Sequence, residues 1–177
     1  VNEWMQIAKK MFKWLELMTH PDGDIAFFND AALEIATTLD ELKKYAQRLR
    51  INYISENFNQ VVHLSDSGYV RFSSNNMIAL LDVACIGPSY LPGHAHADTL
   101  SFELSLFGQR LLVNSGTSEY GISPVRQYQR STKAHNTVEV NDKDSSEVWS
   151  GFRVARRAHP FGFKIEELIL LLLLFVY

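Results

Sequence analysis

At Gln60 the spacing of apolar residues changes from three and four to two, which divides the chain into a helical part and a β part. Before that point, Trp4, Ile7, Ala8, Met11, Phe12, Leu15 and Met18 form the stripe of a first helix. Thr19 to Asp24 ends it, because Pro21 restricts the residue before it and Asp22-Gly23 favours a turn. A second helix is predicted to start near Asn29 or Asp30. Its apolar positions are Leu33, Ile35, Ala36, Leu39, Leu42, Tyr45, Ala46 and Leu49, with Thr37 and Thr38 weakening its middle. Two helices with a short connection pack as an antiparallel pair, and such a pair suits the last hairpin of a larger helical domain.

After Gln60, strands are predicted at Val61 to Leu64, Gly68 to Phe72, Met77 to Val83, Leu100 to Leu106, Arg110 to Val113 and Thr137 to Val140, separated by Gly, Ser, Asn and Asp. The clearest has Leu100, Phe102, Leu104 and Leu106 on one face and Ser101, Glu103 and Ser105 on the other. This pattern predicts a half-buried antiparallel strand with its apolar face inward. Strands do not alternate with helices of ten to fifteen residues, so the chain reads as α+β with a β-sandwich or layered sheet and not as a doubly wound fold. Leu168 to Tyr177 is an unbroken run of ten apolar residues, about half of what a helix needs to cross a bilayer. It is read equally as a buried strand that continues into further sequence or as a truncation or sequence artefact.

An apolar content of 46% argues against disorder, and a net charge of -3 excludes a general attraction to nucleic acid or to polyanions. Cys85, the sole cysteine, excludes an internal disulfide. A phosphate-binding or dinucleotide-binding glycine pattern is missing, as is a Gly-x-Ser-x-Gly elbow that would make Ser115 a nucleophile.

Three of the histidines stand out. His94 and His96, in Pro92-Gly93-His94-Ala95-His96-Ala97-Asp98, lie two apart and so on one side of an extended segment, with small neighbours. Neutral imidazole ligates zinc and also exchanges protons near neutral pH. The blander reading is a pair hydrogen-bonded at a sheet edge. A third group comes from His135, and Asn114 ends a strand where an amide oxygen either ligates weakly or supports the shell. Between them, Tyr120, Arg126, Tyr128 and Arg130 suit an anionic, hydroxyl-rich ligand. The alternative is a polar loop whose arginines pair with Asp142, Asp144 or Glu147. His20, His63 and His159 read as solvated or satisfied polar residues.

These segments, with Gly68-Tyr69-Val70-Arg71-Phe72, Val113-Asn114-Ser115-Gly116-Thr117, Tyr128-Gln129-Arg130-Ser131-Thr132 and Ala134-His135-Asn136-Thr137, resemble the C-terminal region of the heparinase II/III-like proteins. That family includes heparin, heparan and alginate lyases. His20-Pro21-Asp22-Gly23 and Phe27-Phe28-Asn29-Asp30 are similar to the end of its preceding helical domain.

The resemblance implies that residues 1–55 are the final helices of an (α/α) toroid and that residues 60–177 belong to a truncated antiparallel β-sandwich domain. It implies β-elimination on an anionic, uronic-acid-containing polysaccharide, in the periplasm or outside the cell. His94 is then catalytic, and zinc is held by His96, Asn114 and His135, although the family usually has aspartate where Asn114 stands. Further catalytic groups would come from the missing N-terminal toroid, leaving the fragment alone inactive; oligomerisation is left open. The readings from other classes are a non-catalytic polysaccharide-binding or structural β-domain and a metal-dependent glycan hydrolase.

Overall fold

The computed structural model describes residues 2–55 and 61–165; the apolar run Leu168 to Tyr177 lies outside the described residues. Helix α1 spans Asn2–Leu17 and helix α2 spans Leu39–Arg48. The expected start of α2 at Asn29 or Asp30 is corrected by ten residues, because Asn29 and Glu34 take left-handed φ of 54° and 64°. Thr38 does not weaken a helix interior but begins the helix. Its hydroxyl accepts from the Glu41 amide, and the Glu41 carboxylate accepts from the Thr38 amide, forming a reciprocal cap. Lys43 of α2, and Tyr53 in the segment after it, both bond the Glu16 carboxylate of α1, at 2.7 and 2.6 Å. Among the described residues, no helix is long and apolar enough to cross a membrane.

Strands β1 (Val61–Leu64), β2 (Tyr69–Ser73), β3 (Met77–Asp82), β4 (Phe102–Leu106) and β5 (Gln109–Leu112) form an antiparallel meander in sequence order. Helix α3 (Pro124–Arg130) and a 3-10 turn at Thr132–Ala134 follow, and β6 (Val148–Trp149) and β7 (Arg153–Val154) make a short hairpin. The class is α+β with an antiparallel sheet. A second five-stranded layer, as a sandwich requires, is not among the described residues. The strand expected at Thr137 to Val140 is reduced to a single bridge between Val140 and Lys143, because the Asn136 amide and side chain are taken by Asn114 and Phe102.

The expectation for β4 is inverted. Ser101, Glu103 and Ser105 are the buried side, while Leu100 is exposed and Phe102, Leu104 and Leu106 are half-buried. The reason is the segment from Leu17 to Asp30, which lies across this face of the sheet and meets it through polar bonds. Arg71, Leu80 and Glu103 are partners in adjacent strands and therefore share one face. Arg71 donates to the carbonyls of Leu17 and Thr19 at 2.8 and 2.9 Å. Glu103 accepts from the amides of Phe27 and Asn114 at 2.9 and 2.8 Å and lies 2.9 Å from His20 Nε2; His20 Nδ1 lies 2.7 Å from Ser105 Oγ. His20 is thus a satisfied, fully enclosed histidine. Between these polar partners, Leu80 packs with Met18, Ala26 and Phe28 as the apolar core.

The same crossing segment carries Asn29 and Asp30 to the place where three later segments converge. The Asn29 amide donates to Asp98 at 3.3 Å, the His96 amide to the Asn29 side chain at 3.3 Å, and the Thr117 amide to the Ala31 carbonyl at 3.0 Å. Gly116 permits that last approach. It sits at φ +55°, and a Cβ there would lie 2.3 Å from the Ala31 oxygen, an overlap no side chain tolerates.

Candidate active site

Helix α3 starts where its sequence allows. Ser123 accepts from the Arg126 amide at 3.0 Å, and Pro124 occupies the first turn, where its missing N–H costs nothing. Arg126 and Arg130, four residues apart, then share one face, which is turned inward. Both arginines are fully buried. Arg126 forms a bidentate pair with Asp30, with Nη2 to Oδ2 at 2.8 Å, and donates to Thr117 at 2.9 Å and to the Gly151 carbonyl at 3.1 and 3.0 Å. Arg130 serves the carbonyls of Ala95, Trp149, Ser150 and Arg153.

The substrate-binding role expected of Arg126 and Arg130 is therefore corrected. Their donors are committed to protein acceptors, and neither guanidinium is presented to solvent. Nor is the Arg126 partner Asp142, Asp144 or Glu147; it is Asp30, 96 positions away.

Asp30 is the hub of the site, and sequence reasoning missed it. Its Oδ2 accepts from His94 Nδ1 and its Oδ1 from His96 Nε2, both at 2.8 Å, in addition to the Arg126 fork. Burial alone would raise its pKa, but hydrogen bonds from His96, Arg126 and His94 outweigh that and hold the carboxyl well below the usual carboxylate range. A signal was present, since Phe27-Phe28-Asn29-Asp30 stands among the matching segments. Its resemblance is to the end of the helical domain, which does not by itself point to the site.

His96 and His135 meet edge to face, with His96 Nδ1 3.1 Å from His135 Nε2. The outer nitrogens fix the protonation. His96 donates from Nε2 to Asp30, and His135 donates from Nδ1 to the Ser131 carbonyl at 2.8 Å. In the neutral pair, two lone pairs consequently face each other. Burial lowers both pKa values against the opposing pull of their hydrogen bonds, and that of His135, lowered further by His96, falls to about 4.

Asn114 is buried, and its side chain bonds neither histidine. Its Oδ1 accepts from the Asn136 amide at 3.0 Å, and its Nδ2 donates to Ser101 at 3.4 Å. Among the described residues, no three His, Cys, Asp or Glu side chains form a metal-holding group. What is present is two imidazoles with their lone pairs turned toward each other and their outer nitrogens anchored.

His94 differs from its neighbours in exposure: its side chain is 69% exposed, although Nδ1 is held by Asp30. Tyr120 lies 6.0 Å from it, ring to ring. Tyr128 stands exposed on α3 and takes no part in the cluster among the described residues. The structure thus brings His94, His96, His135, Arg126 and Tyr120 together around Asp30. Arg130 braces the same segments from behind, and Asn114 is tied in through Asn136.

A helical lead, an antiparallel sheet and a histidine cluster at its margin define the class to which the chain belongs. Residues 59–170 match the family described as Heparinase II/III-like, C-terminal, and the chain belongs to that family. The fold is similar to that of the heparan sulfate lyase HepC from Pedobacter heparinus, with TM-score 0.65 and 20% identity over 82% of this chain. It is also similar to a heparinase III, with TM-score 0.67 and 16% identity over 84% of this chain. The chain spans about a quarter of the length of these proteins, 25% and 29%. A search of the curated proteins found no match.

Proposed function

We propose that this chain carries part of the active site of a polysaccharide lyase that cleaves uronic-acid-containing glycans by β-elimination, with His94 as catalytic residue. The observation that carries this reading is the imidazole of His94, exposed to solvent yet held at Nδ1 by a buried, ion-paired carboxylate. In the neutral ring, Nε2 then keeps the lone pair. In the reaction the C5–H bond breaks with its proton passing to a base, a C4=C5 double bond forms, and the C4–O4 bond breaks as an acid delivers a proton to O4 of the leaving sugar. The C5 proton is weakly acidic, so the adjacent carboxylate has to be neutralised while a base takes the proton. His94 fits either duty, and Asp30 stabilises the imidazolium in both. Tyr120 borders the same space, and the family's further acid-base groups are proposed to come from an upstream toroid of which residues 1–55 are the last helices. The substrate is proposed to be of the heparan or alginate kind and the location periplasmic or extracellular, both from family membership.

Replacing His94 by Ala in the full-length protein is expected to abolish the ultraviolet absorbance of unsaturated products on a panel of uronate polymers; unchanged product formation would end this assignment. Chain cleavage without that chromophore would point to a hydrolase, and binding without cleavage to a purely binding domain.

The inward lone pairs of His96 and His135 fit a zinc ion, and we propose that these two residues with Asn114 would hold one. Bound zinc would supply a fixed positive charge that braces the site. His96 links this pair to Asp30 and hence to His94, whose own bonding requires no metal. Two imidazoles and an amide carry no negative charge, so zinc content after dialysis is expected to be below one per chain and to rise in Asn114→Asp. Equal zinc content in the two proteins would remove Asn114 from the ligand set.

A further inference from the structure

The β6–β7 turn belongs to none of the histidine segments, yet it sets an aromatic ring beside His94. The ring of Phe152 is 5.8 Å from that of His94 and 5.4 Å from that of Tyr120, which closes a triangle with the 6.0 Å separation of Tyr120 and His94. The Arg126 guanidinium lies over both aromatic rings, at 5.3 Å from Tyr120 and 5.4 Å from Phe152, so each has one face backed by a buried cation. Tyr120 remains 57% exposed and Phe152 43%.

The ring does not sit on a loose turn. Arg126 and Arg130 bond the carbonyls of Trp149, Ser150 and Gly151. Gly151 lies so close to the Tyr120-Gly121 loop that a Cβ there would be 2.6 Å from the Gly121 oxygen. The two aromatic residues are therefore fixed beside each other by backbone contact. Such rigidity at an exposed apolar group favours binding, because little freedom is lost when a ligand arrives.

A pyranose ring carries weakly positive C–H bonds that suit the electron-rich face of an aromatic ring, while its hydroxyls and carboxylate stay at the rim. We propose that Phe152 is a positioning residue that stacks against a pyranose ring of the glycan and, with Tyr120, aligns that sugar with His94. The identity of the sugar as a uronate rests on the lyase reading; the stacking role does not.

The test uses the full-length protein and calorimetric titration with tetrasaccharides from heparan sulfate and from alginate. Phe152→Ala is expected to weaken binding about ten-fold, and Phe152→Leu, which keeps apolar volume but loses the flat face, by a similar factor. Phe152→Trp should stay within about two-fold of the parent, and on a substrate that is turned over the Ala variant should both raise KM and lower kcat, because the sugar is bound less tightly and held less well against His94. Unchanged affinity in Ala and Leu would overturn the inference. So would a fall in melting temperature with affinity unaltered, which would make Phe152 a contact with the rest of the protein. If the parent binds neither tetrasaccharide, this inference and the lyase reading both fail. If it binds without forming unsaturated product, only the lyase reading fails, and the Phe152 variants still decide the stacking role.

Discussion

Asp30→Ala is expected to lower folding stability by about 3–5 kcal/mol, because it leaves the fully buried Arg126 without its counter-charge. The loss would be read by urea unfolding of the full-length protein. A double variant, Asp30→Ala with Arg126→Met, should recover part of it, since an apolar side chain of similar length needs no partner. No recovery would mean that the pair is not the source. Asp30→Asn separates stability from chemistry: it keeps the shape but no longer fixes the tautomers of His94 and His96, and turnover is expected to fall by about 100-fold or more.

The pH dependence follows with a definite sign. The Asp30 carboxyl titrates below its unfolded value, so its contribution is complete above about pH 4 and is lost as pH falls through the lower folded value. His96 and His135 act in the same direction at milder acidity. Their folded pKa values are depressed, so the unfolded state takes up protons first as pH drops below about 6.5. Both the parent and Asp30→Asn should accordingly begin to lose stability below about pH 6.5 through His96 and His135. Only below about pH 4 should the parent lose more than Asp30→Asn relative to each protein's neutral stability, which urea unfolding across that pH range would read.

Glu103→Ala should cost on the order of 4 kcal/mol, since it strips the acceptor from the Phe27 and Asn114 amides and from His20 in a site closed to water. Glu103→Gln keeps the volume but turns one amide donor toward another donor, so about half of that loss is expected. The check is the midpoint of urea unfolding. A change of under about 0.5 kcal/mol in Glu103→Ala would show that water replaces the carboxylate and that the polar face of β4 is not sealed.

Much of the fold was legible because it depends on local period. Helix α1 and strands β1 to β5 fall within two residues of where spacing placed them. What spacing misjudged was decided by distant partners. Leu100 to Leu106 alternates as a half-buried strand should, but the side that faces inward is set by His20 and Phe27, some eighty residues earlier. Thr38 looked like a poor helix residue until Glu41 was seen to close the cap from the other side. At the site, His94-x-His96 was visible as a pair and His135 as a third imidazole, yet their organiser was not. Asp30 reaches them across 64 and 66 positions of sequence, and no local pattern marks an aspartate for that task. Arg126 and Arg130 were noticed for their charge. Their i, i+4 spacing on a capped helix was the better clue, because it put both on one face that the fold then closed.

Every partner of the Asp30 carboxylate comes from the part of the chain after Gln60, whereas Asp30 itself arrives with the segment that follows α1. The acid and the bases it governs are thus inherited on separate pieces of sequence. A chimera that grafted this sheet onto the helices of another family member would keep all three histidines and still misplace the protons of His94 and His96, unless the donor also brought a carboxylate seated by the equivalents of Phe27 and Asn29.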